Sequence, residues 1–263
     1  MSKSAFRVAT FNCASIRARL PVLLDWLARN QPDVLGLQET KVTDADFPVE
    51  PIQELGYAVA FRGQKSHAGV ALISREPAQD IVYGLDDGRP ADEARLISAV
   101  IRGIPIVNTY VPQGQSVESE QFQYKLEWLA RLRDWFERHH SPHEPLLWIG
   151  DFNVATEEID VHDPRRLTNH VDFHPAARAA LERVRQWGFV DVFRKHHPNE
   201  AGQYTFWDYR VRGAMERGLG WRVDHIWATQ PLAQKSLDSW IDVEPRKAER
   251  PSDHTFLVAE FSL

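Results

Sequence analysis

The chain alternates between short apolar runs and polar segments, and most of the runs have the length of a β-strand. Runs that are rich in β-branched and aromatic residues, and that end at polar or glycine-containing segments, predict strands. The predicted strands span residues 6–12, 33–39, 58–63, 69–74, 94–101, 104–111, 146–153, 221–229 and 254–261.

Three longer segments place apolar residues at helical spacing instead. They span residues 20–30, 120–138 and 175–187. In the second, the apolar residues that recur every three or four positions are Phe122, Leu126, Leu129, Leu132 and Phe136. The third has Pro175 in its first turn and Gly188 at its C-terminal end, as helices often do. Many strands with a few interspersed helices predict an α/β sandwich, in which two packed sheets carry helices on the outside.

The composition is that of an ordinary globular protein. With 263 residues, 43% of them hydrophobic, the chain can bury a large core. It has no repeat, low-complexity tract or flexible linker, so we expect a single domain over residues 1–263. Cys13 is the one cysteine, which rules out an internal disulfide and predicts a small buried residue. The N-terminus has no apolar signal segment and no run approaches a membrane span, which predicts a cytoplasmic protein.

Polar side chains end or interrupt several of the predicted strands. They are Asn12, Glu39, Tyr110 with Gln113 just beyond it, Asp151 with Asn153, Asp224, and the pair Asp253 and His254. Taken alone, each has an ordinary explanation, such as a helix cap, an Asx turn or a satisfied core carboxylate. Residues at i and i+2 of an extended chain point the same way, so Asp151 and Asn153 should emerge side by side. If these strand ends meet at one edge, they form a carboxylate-rich pocket.

A pocket of this composition suits a hard cation. Mg²⁺ or Mn²⁺ binds oxygen ligands and takes the rest of its shell from water and phosphate. Zinc is not favoured, because the chain has no cysteine pair, and the adjacent histidines at 139–140 and 196–197 lack the i, i+4 helix spacing or a third nearby ligand. A net charge of −6 argues against a protein that coats DNA, but it permits an acidic, cation-holding centre with a basic rim. The sequence also lacks a GxSxG elbow and a Walker phosphate loop. The reaction that remains is metal-assisted phosphoester hydrolysis.

A series of motifs then identifies a family. They are FN (11–12), GLQETK (36–41), NTYVPQG (108–114), GDFNVA (150–155), YTFWDYR (204–210), GWRVDHI (220–226) and PSDH (251–254). Their order and spacing resemble the bacterial exonuclease III and abasic-site endonuclease family, within the endonuclease/exonuclease/phosphatase superfamily, from end to end. GDFN and SDH mark only the superfamily, whereas QETK, YxPQG and YTFWDYR point to its DNA-repair branch. The resemblance implies a four-layered αββα sandwich and a metal-dependent enzyme that hydrolyses DNA phosphodiesters.

The resemblance also implies roles at the predicted centre. The metal site would consist of Glu39, Asn12 and Asp253. The catalytic group would consist of Asp151, Asn153, Asp224, Tyr110 and His254. In this group Asp151 would orient or deprotonate the attacking water, and Asp224 would fix the His254 imidazole beside the scissile phosphate. The general base stays open between Asp151 and the Asp224–His254 pair.

Further residues would contact the substrate, which the resemblance implies is duplex DNA with 3′ ends, nicks or abasic sites. The DNA contacts would come from Lys41, Arg62, Lys65, Arg95, Gln113 and Arg210. A small apolar pocket for a flipped-out, base-less sugar would be lined by Phe206, Trp221 and Val223. Core packing is the alternative explanation for these apolar residues, and an ordinary solvated loop is the alternative for the basic ones.

One position and one segment depart from what is usual in the family. The first strand usually reads Asn-x-Asn or Asn-x-Asp, but here Ala14 occupies the second polar position. Residues 12 and 14 share a face of the predicted strand, so the missing group should leave a gap beside Glu39 and weaken metal affinity. The segment Val171-Asp172-Phe173-His174 is bulky, with an added anion that would repel a phosphate, where efficient abasic-site members have small residues. It predicts that 3′-end activities exceed internal incision.

Two other functions are compatible with parts of this pattern. One is a phosphoesterase of the same superfold that acts on a non-DNA substrate, and QETK and YTFWDYR argue against it. The other is a non-catalytic nucleic-acid-binding regulator, which the intact set of polar strand ends argues against. We therefore expect a monomeric, Mg²⁺- or Mn²⁺-dependent DNA repair nuclease with exonuclease, 3′-phosphatase and abasic-site endonuclease activities.

Overall fold

In the computed structural model, which describes residues 5–89 and 92–263, twelve strands form two six-stranded mixed sheets. The first sheet contains β1 (Phe6–Asn12), β2 (Val34–Gln38), β3 (Ala58–Arg62), β4 (Val70–Ser74), β11 (Ser236–Asp242) and β12 (Phe256–Phe261). The second contains β5 (Gln79–Tyr83), β6 (Leu96–Ile101), β7 (Ile104–Tyr110), β8 (Leu147–Asp151), β9 (Phe189–Asp191) and β10 (Asp224–Thr229). The predicted single domain over residues 1–263 includes residues 1–4 and 90–91, which lie outside the described ones.

Three long helices and four short ones accompany the sheets in the described residues. The long ones are α1 (Ile16–Asn30), α3 (Glu120–His139) and α5 (Pro175–Arg185). The short ones are α2 (Val49–Gln53), α4 (Pro164–Leu167), α6 (Val192–His196) and α7 (Gln230–Ala233). Short 3₁₀ turns lie at Asp44–Asp46, Glu158–Asp160 and Glu244–Lys247. None of the helices in this part of the chain combines the length and the apolar character needed to cross a membrane.

The strand order places the same end of several strands at one edge. The two orders are β11-β12-β1-β2-β4-β3 and β5-β6-β7-β8-β10-β9. At the centre of each sheet two strands run parallel, β1 with β2 and β7 with β8. β12 and β10 run antiparallel beside them. The carboxyl ends of the central strands therefore lie beside the amino ends of β10 and β12.

Three separate apolar cores give the protein its layers. One lies between the sheets and includes Leu72 and Ile149. A second lies between the first sheet and α1, where the Trp26 ring stacks on Phe256 with centroids 4.0 Å apart. A third lies between the second sheet and the pair α3 and α5, around Trp148. The order is therefore helix, sheet, sheet, helix, which confirms the predicted αββα sandwich.

All nine predicted strands are present, but three further strands were missed. β5 and β11 lie at sheet edges and expose much of one face, and β9 has only three residues. An edge strand with one wet face lacks the continuous apolar run of a central strand, so its pattern is weak. Among the helices, α1 begins four residues earlier than predicted, and α5 ends two residues earlier, at Arg185.

A buried polar bridge joins the two sheets just behind the edge described above. Gln38 of β2 donates through Nε2 to Asn108 Oδ1 of β7 at 2.6 Å and to Thr10 Oγ1 of β1 at 2.9 Å. Asn108 Nδ2 in turn donates to the backbone oxygens of Leu37 and Ala71, each at 2.9 Å. Gln38, Asn108 and Thr10 are fully buried. Since an unpaired buried polar group is costly, these bonds fix how the sheets lie across each other.

We expect Asn108→Leu to lower the free energy of unfolding by about 1–3 kcal/mol, because it removes one of the two acceptors of the buried Gln38 amide and the donor to the Leu37 and Ala71 carbonyl groups. Gln38→Leu should cost a similar amount, and the double variant should cost less than the sum. Urea denaturation measures all three. Asn199→Leu, at an exposed position, is the control and should change stability by less than about 0.5 kcal/mol. If the losses of the two single variants add up in the double variant, Gln38 and Asn108 do not stabilise the fold through their contact with each other.

Candidate active site

The strand register brings the predicted polar residues together at one edge. Asp151, the last residue of β8, lies directly opposite Asp224, the first residue of the antiparallel β10. Tyr110, the last residue of β7, is the partner of Asp151 on the other side. In the first sheet, Asn12 ends β1, and Glu39 follows the end of β2. The topology thus explains why residues far apart in sequence meet.

Asn12 links the two sheets at this edge. Its Nδ2 donates to Glu39 Oε1 and to Asp151 Oδ2, both at 2.8 Å. Its Oδ1 accepts the backbone N–H of Ala14 at 3.0 Å. All of these bonds are made by a fully buried side chain. Asn12 therefore faces the carboxylates as a donor and holds them together, which is a different role from an oxygen ligand for a metal.

Glu39 is the most accessible carboxylate of this group. Its backbone has φ +52°, in the left-handed region, which turns the chain out of β2 toward the groove. Its side chain is 16% exposed, and its Oε2 lies 2.6 Å from Lys41 Nζ. Burial opposes ionisation, but the Lys41 ammonium and the Asn12 amide outweigh it and hold the pKa of Glu39 below its ordinary value. Glu39 is an ionised oxygen donor that a cation can reach.

His254 lies between two buried carboxylates. Its Nδ1 is 2.8 Å from Asp224 Oδ2, and its Nε2 is 3.8 Å from Asp151 Oδ2. Burial disfavours the charged imidazole, but the Asp224 and Asp151 carboxylates outweigh this and raise the pKa of His254 to about 10. Burial also raises the pKa of the Asp151 carboxyl. His254 is thus a protonated donor, and Asp151 is a carboxylate with increased affinity for a proton.

The Asp151 and Asn153 side chains do not emerge side by side, as the extended-chain argument predicted. β8 ends at Asp151, and Asn153 has φ +48°. Asp151 Oδ1 accepts the Asn153 backbone N–H at 2.8 Å, so the segment forms an Asx turn. Asn153 Nδ2 donates to Val111 O at 2.8 Å, and the side chain lines the cavity described below. The Asx turn is therefore the element that places Asn153 in the candidate site.

The structure also corrects the argument about Ala14. β1 ends at Asn12, and Ala14 has φ +45° and Ser15 φ +102°. Residues 12 and 14 therefore do not share a strand face, and the expected gap beside Glu39 does not follow. Ala14 takes part through its backbone N–H, which fixes the Asn12 amide. The expectation of weakened metal affinity loses its structural reason.

Tyr110 and Arg95 form a packed wall beside Glu39. Burial, with the Glu39 and Asp151 carboxylates nearby, raises the pKa of the Tyr110 phenol well above its ordinary value, so it stays a neutral hydroxyl. The Arg95 guanidinium lies over the Tyr110 ring, 4.8 Å from its centroid, and pairs with Glu93. Arg95 is only 12% exposed. Because Arg95 is held in the wall, any contact to DNA would come from the exposed edge of its guanidinium group.

Two adjoining cavities make a continuous groove across this edge. The first cavity, of about 640 Å³, is lined by Asn153, Asp253 and His254. The second cavity, of about 780 Å³, is lined by Lys41 and Arg95. Both are bordered by Glu39, Tyr110, Gln113 and Gln115. Glu39 therefore lies at the junction of the two cavities.

Phe206, Trp221 and Val223 line the first cavity together. Trp221 and Val223 are almost completely buried and belong to a small apolar cluster, against which Phe206 packs. The Phe206 ring lies 4.8 Å from the His254 ring. These residues therefore pack in an apolar cluster and also line the cavity, because the cluster forms the cavity wall.

The remaining predicted DNA contacts are spread along the rim. Gln113 lies in both cavities, and its Nε2 donates to Asp172 Oδ2 at 3.3 Å. Arg210 is highly exposed and pairs with Asp208 beside the first cavity. Lys65 is exposed, next to two residues that line the second cavity. Arg62 packs over the Tyr83 ring at 4.5 Å and lines a separate cavity, so the structure does not bring it to the centre.

The structure changes the argument from the bulky segment 171–174. Val171 and Phe173 are buried and contribute to apolar clusters. Asp172 is paired with Lys125, whose Nζ lies 3.1 Å from its Oδ1. Asp172 lines the first cavity, but its charge is compensated within the protein, and the two large side chains pack into apolar clusters. The predicted excess of 3′-end activity loses this support.

Two buried cations were missed by the sequence analysis. Lys125 of α3 is fully buried beside Asn153. Its position, between Phe122 and Leu129 on the apolar face of the helix, was the signal that could have found it. Arg222 is also fully buried, and it lies between Trp221 and Val223. It pairs with Asp160 at 2.7 Å and with Asp191 at 2.8 Å, which fixes the wall of the first cavity.

The donor set fits a divalent metal. Glu39 offers ionised oxygens, and Asp253 lines the same cavity. The Asp151 and Asp224 carboxylates each place an oxygen within 4.8 Å of the other. Within the described residues, the buried Asp224 Oδ1 has no hydrogen-bond partner. Carboxylate oxygens with spare lone pairs, and no thiolate, are the donors that Mg²⁺ or Mn²⁺ takes.

Comparison with known proteins agrees with this geometry. The sequence model of the Endonuclease/Exonuclease/phosphatase family matches residues 9–254. The chain is 35% identical over 263 residues to the exodeoxyribonuclease III of Haemophilus influenzae, covering 96% of this chain and 98% of that protein.

Solved structures are similar over the same length. An AP endonuclease from Archaeoglobus fulgidus superposes with a TM-score of 0.96 at 52% identity, covering 98% of this chain and 100% of that one. A 3′-phosphatase from Neisseria, solved bound to a product DNA hairpin, gives a TM-score of 0.94 at 34% identity over the same shares of the two chains.

We expect Glu39→Gln to weaken Mn²⁺ binding by about tenfold or more, because it removes an ionised oxygen donor. Calorimetric titration of the DNA-free protein with Mn²⁺ measures this directly. Glu93→Gln removes a carboxylate from the neighbouring cavity wall and serves as the matched control. Equal affinities in the two variants would show that Glu39 does not hold the metal.

Proposed function

Because this chain belongs to the endonuclease/exonuclease/phosphatase family and is a DNA repair nuclease of the exonuclease III type, we propose that it attacks duplex DNA at three kinds of site. It degrades strands from 3′ ends, removes 3′-phosphates and incises at abasic sites. The activities named for the similar proteins support this range, since they include an exodeoxyribonuclease, an AP endonuclease and a 3′-phosphatase.

The observation that carries the proposal is an unbroken polar chain across the sheet edge. It runs from Asp224 through His254 and Asp151 to Asn12 and Glu39, with neighbouring polar atoms 2.8 to 3.8 Å apart. The same chain of contacts thus contains the ionised Glu39 oxygens for a cation, the Asp151 carboxylate for the water and the cationic His254 donor for the phosphate. In-line phosphoester hydrolysis needs these three components.

We propose Mg²⁺ or Mn²⁺ as the metal, held by Glu39 and Asp253. When bound, it neutralises charge on the scissile phosphate and on the leaving oxygen. Asn12 contributes by keeping the Glu39 and Asp151 carboxylates in place. Lys41, which pairs with Glu39 at 2.6 Å, then faces the groove as a cationic contact for the DNA backbone.

We assign the general base to Asp151. An imidazole flanked by two carboxylates is kept protonated, so His254 donates and does not accept a proton. It contacts a non-bridging oxygen of the phosphate, and Asp224 holds its ring. The Asn153 amide donates to the same phosphate, and the neutral Tyr110 hydroxyl lies beside Glu39 to contact the phosphate or the leaving oxygen. These groups stabilise charge that develops in the transition state.

The first cavity gives the proposed substrate specificity. Its wall of Phe206, Trp221 and Val223 is apolar and closed by buried packing. We propose that it receives the deoxyribose of a 3′-terminal or base-less nucleotide. An extruded abasic nucleotide costs little unstacking energy, and it brings no base to fill the site. Gln113, Arg95 and Arg210 line the rim, where the DNA backbone would pass.

Other features of the sequence prediction stay proposals of the same kind. We propose that the protein acts as a monomer, forms one domain over residues 1–263 and works in the cytoplasm. A phosphoesterase with a non-DNA substrate, or a non-catalytic regulator, is the alternative that the following experiment excludes.

On a duplex carrying a recessed 3′ end, a 3′-phosphate nick or an abasic-site analogue, the protein should release product with Mg²⁺ or Mn²⁺. EDTA should abolish all three reactions, because the phosphate charge is then left uncompensated. Inositol phosphates and a sphingomyelin emulsion are the competing substrates. Full activity in EDTA, or faster hydrolysis of a non-DNA substrate, would contradict the proposal.

Asp151→Ala and His254→Ala should each lower kcat by at least ~10²-fold, since both groups act mainly in the transition state. Single-turnover cleavage of the 3′-phosphate nick measures this, and circular dichroism checks the fold. Asp238→Ala and His143→Ala, at exposed positions, are the matched controls and should leave kcat unchanged. A loss below tenfold in either site variant would mean that the centre lies elsewhere.

A further inference from the structure

Lys125 is a fully buried lysine that ties together the loops around the active site. It lies on α3, and its ammonium has no exposed surface. Nζ donates to the backbone oxygens of Asn153 at 2.6 Å, Gln113 at 3.1 Å and Val171 at 3.2 Å. It also lies 3.1 Å from Asp172 Oδ1. One side chain therefore contacts three separate loops, and each loop contributes to the groove.

Stability alone does not explain a cation at this position. A buried ion pair must recover the large cost of removing both charges from water, and an apolar side chain of similar size is often as stable or more so. In the part of the chain that the structure describes, Asp172 is the one carboxylate within ion-pair distance of Lys125. The other contacts are neutral carbonyl groups. What an apolar replacement could not do is hold those carbonyl groups in place.

The Asn153 carbonyl is the contact with the shortest distance and the clearest consequence. Asn153 has φ +48°, a left-handed conformation that costs free energy for a residue with a side chain. Its backbone N–H is held by Asp151, and its amide by Val111. Lys125 supplies the third restraint, on the carbonyl oxygen. Together the three bonds fix the direction in which the Asn153 amide enters the cavity.

We propose that Lys125 is a positioning residue that acts on catalysis through Asn153. It anchors the turn after β8 to α3, and it also holds Gln113 and Asp172, which line the same cavity as Asn153. This role rests on the proposed nuclease function, in which the Asn153 amide binds the scissile phosphate. A small displacement of such a group can cost a large part of the rate.

A double-mutant cycle distinguishes this role from a loss of stability. Lys125→Met should lower kcat for the 3′-phosphate nick by about 10- to 100-fold, with KM changed by less than about threefold. In an Asn153→Ala background the same substitution should lower kcat by less than about threefold, because the group it positions is gone. Equal losses in both backgrounds would overturn the proposal. Lys125→Gln, which keeps two N–H donors, takes the place of Met if that variant does not fold.

Leu132→Ala is the matched control. Leu132 is a fully buried residue of the same helix, so its truncation destabilises the α3 packing without removing a contact to Asn153. It should lower the melting temperature and leave kcat unchanged below that temperature. A kcat loss equal to that of Lys125→Met would overturn the proposal.

A measurement without DNA separates this proposal from the proposed function. The side-chain amide resonance of Asn153, assigned by its loss in Asn153→Ala, should shift in Lys125→Met and stay in place in Leu132→Ala. An unchanged resonance in Lys125→Met would overturn the positioning role, whatever the substrate. A shifted resonance in a protein without nuclease activity would support the positioning role and contradict the nuclease.

Discussion

Three acidic side chains, Glu39, Asp151 and Asp224, lie close together and largely buried where the two sheets meet, and the structure depends on how their charges are compensated. Uncompensated, such a group would repel itself and become protonated. Asn12 donates to two of the carboxylates, His254 lies between two, and Lys41 pairs with the most exposed one. The compensation leaves Glu39 ionised and accessible. The same hydrogen bonds thus stabilise the fold and prepare the site for a cation and a phosphate.

These contacts require the two sheets to meet at a fixed distance. The bridge from Gln38 to Asn108 lies one or two residues before Glu39 and Tyr110 in their strands, so it sets the relative height of the two strand ends. Gly36 permits the close approach, since a Cβ there would lie 2.8 Å from Ile149 Cδ1. Beyond the strands, left-handed backbone at Glu39 and Asn153 turns the functional side chains into the groove. A rigid two-sheet frame therefore supports short, strained turns that carry the chemistry.

The walls of the groove are held by buried cations behind them. Arg222 anchors Trp221 and Val223 through its pairs with Asp160 and Asp191, and Lys125 anchors the turn that contains Asn153. Arg222 is adjacent in the sequence to Trp221 and Val223, and Lys125 is hydrogen-bonded to Asn153. These neighbours are residues that would touch DNA. Buried charges are expensive, and their partners here are specific. The apolar cluster of the cavity and these cations together hold the wall of the pocket in place.

Sequence by itself determined the central strands, the long helices, the αββα class and the polar residues that end the strands. These follow from local patterns, because apolar periodicity and strand-end polarity are visible within ten or twenty residues. It also identified the family through motifs that span the chain. It did not find the edge strands β5 and β11, whose exposed faces weaken the apolar pattern.

Tertiary structure alone decided which atoms meet. Asn12 and Asp151 are 139 residues apart in the chain, so only sheet packing could show that the Asn12 amide acts as a donor between carboxylates. The left-handed turn at Ala14, the compensation of Asp172 and the separation of Arg62 from the centre likewise depend on contacts between distant segments. Residue type limits the chemistry that a side chain can perform, but long-range packing sets its partners, its direction and its charge.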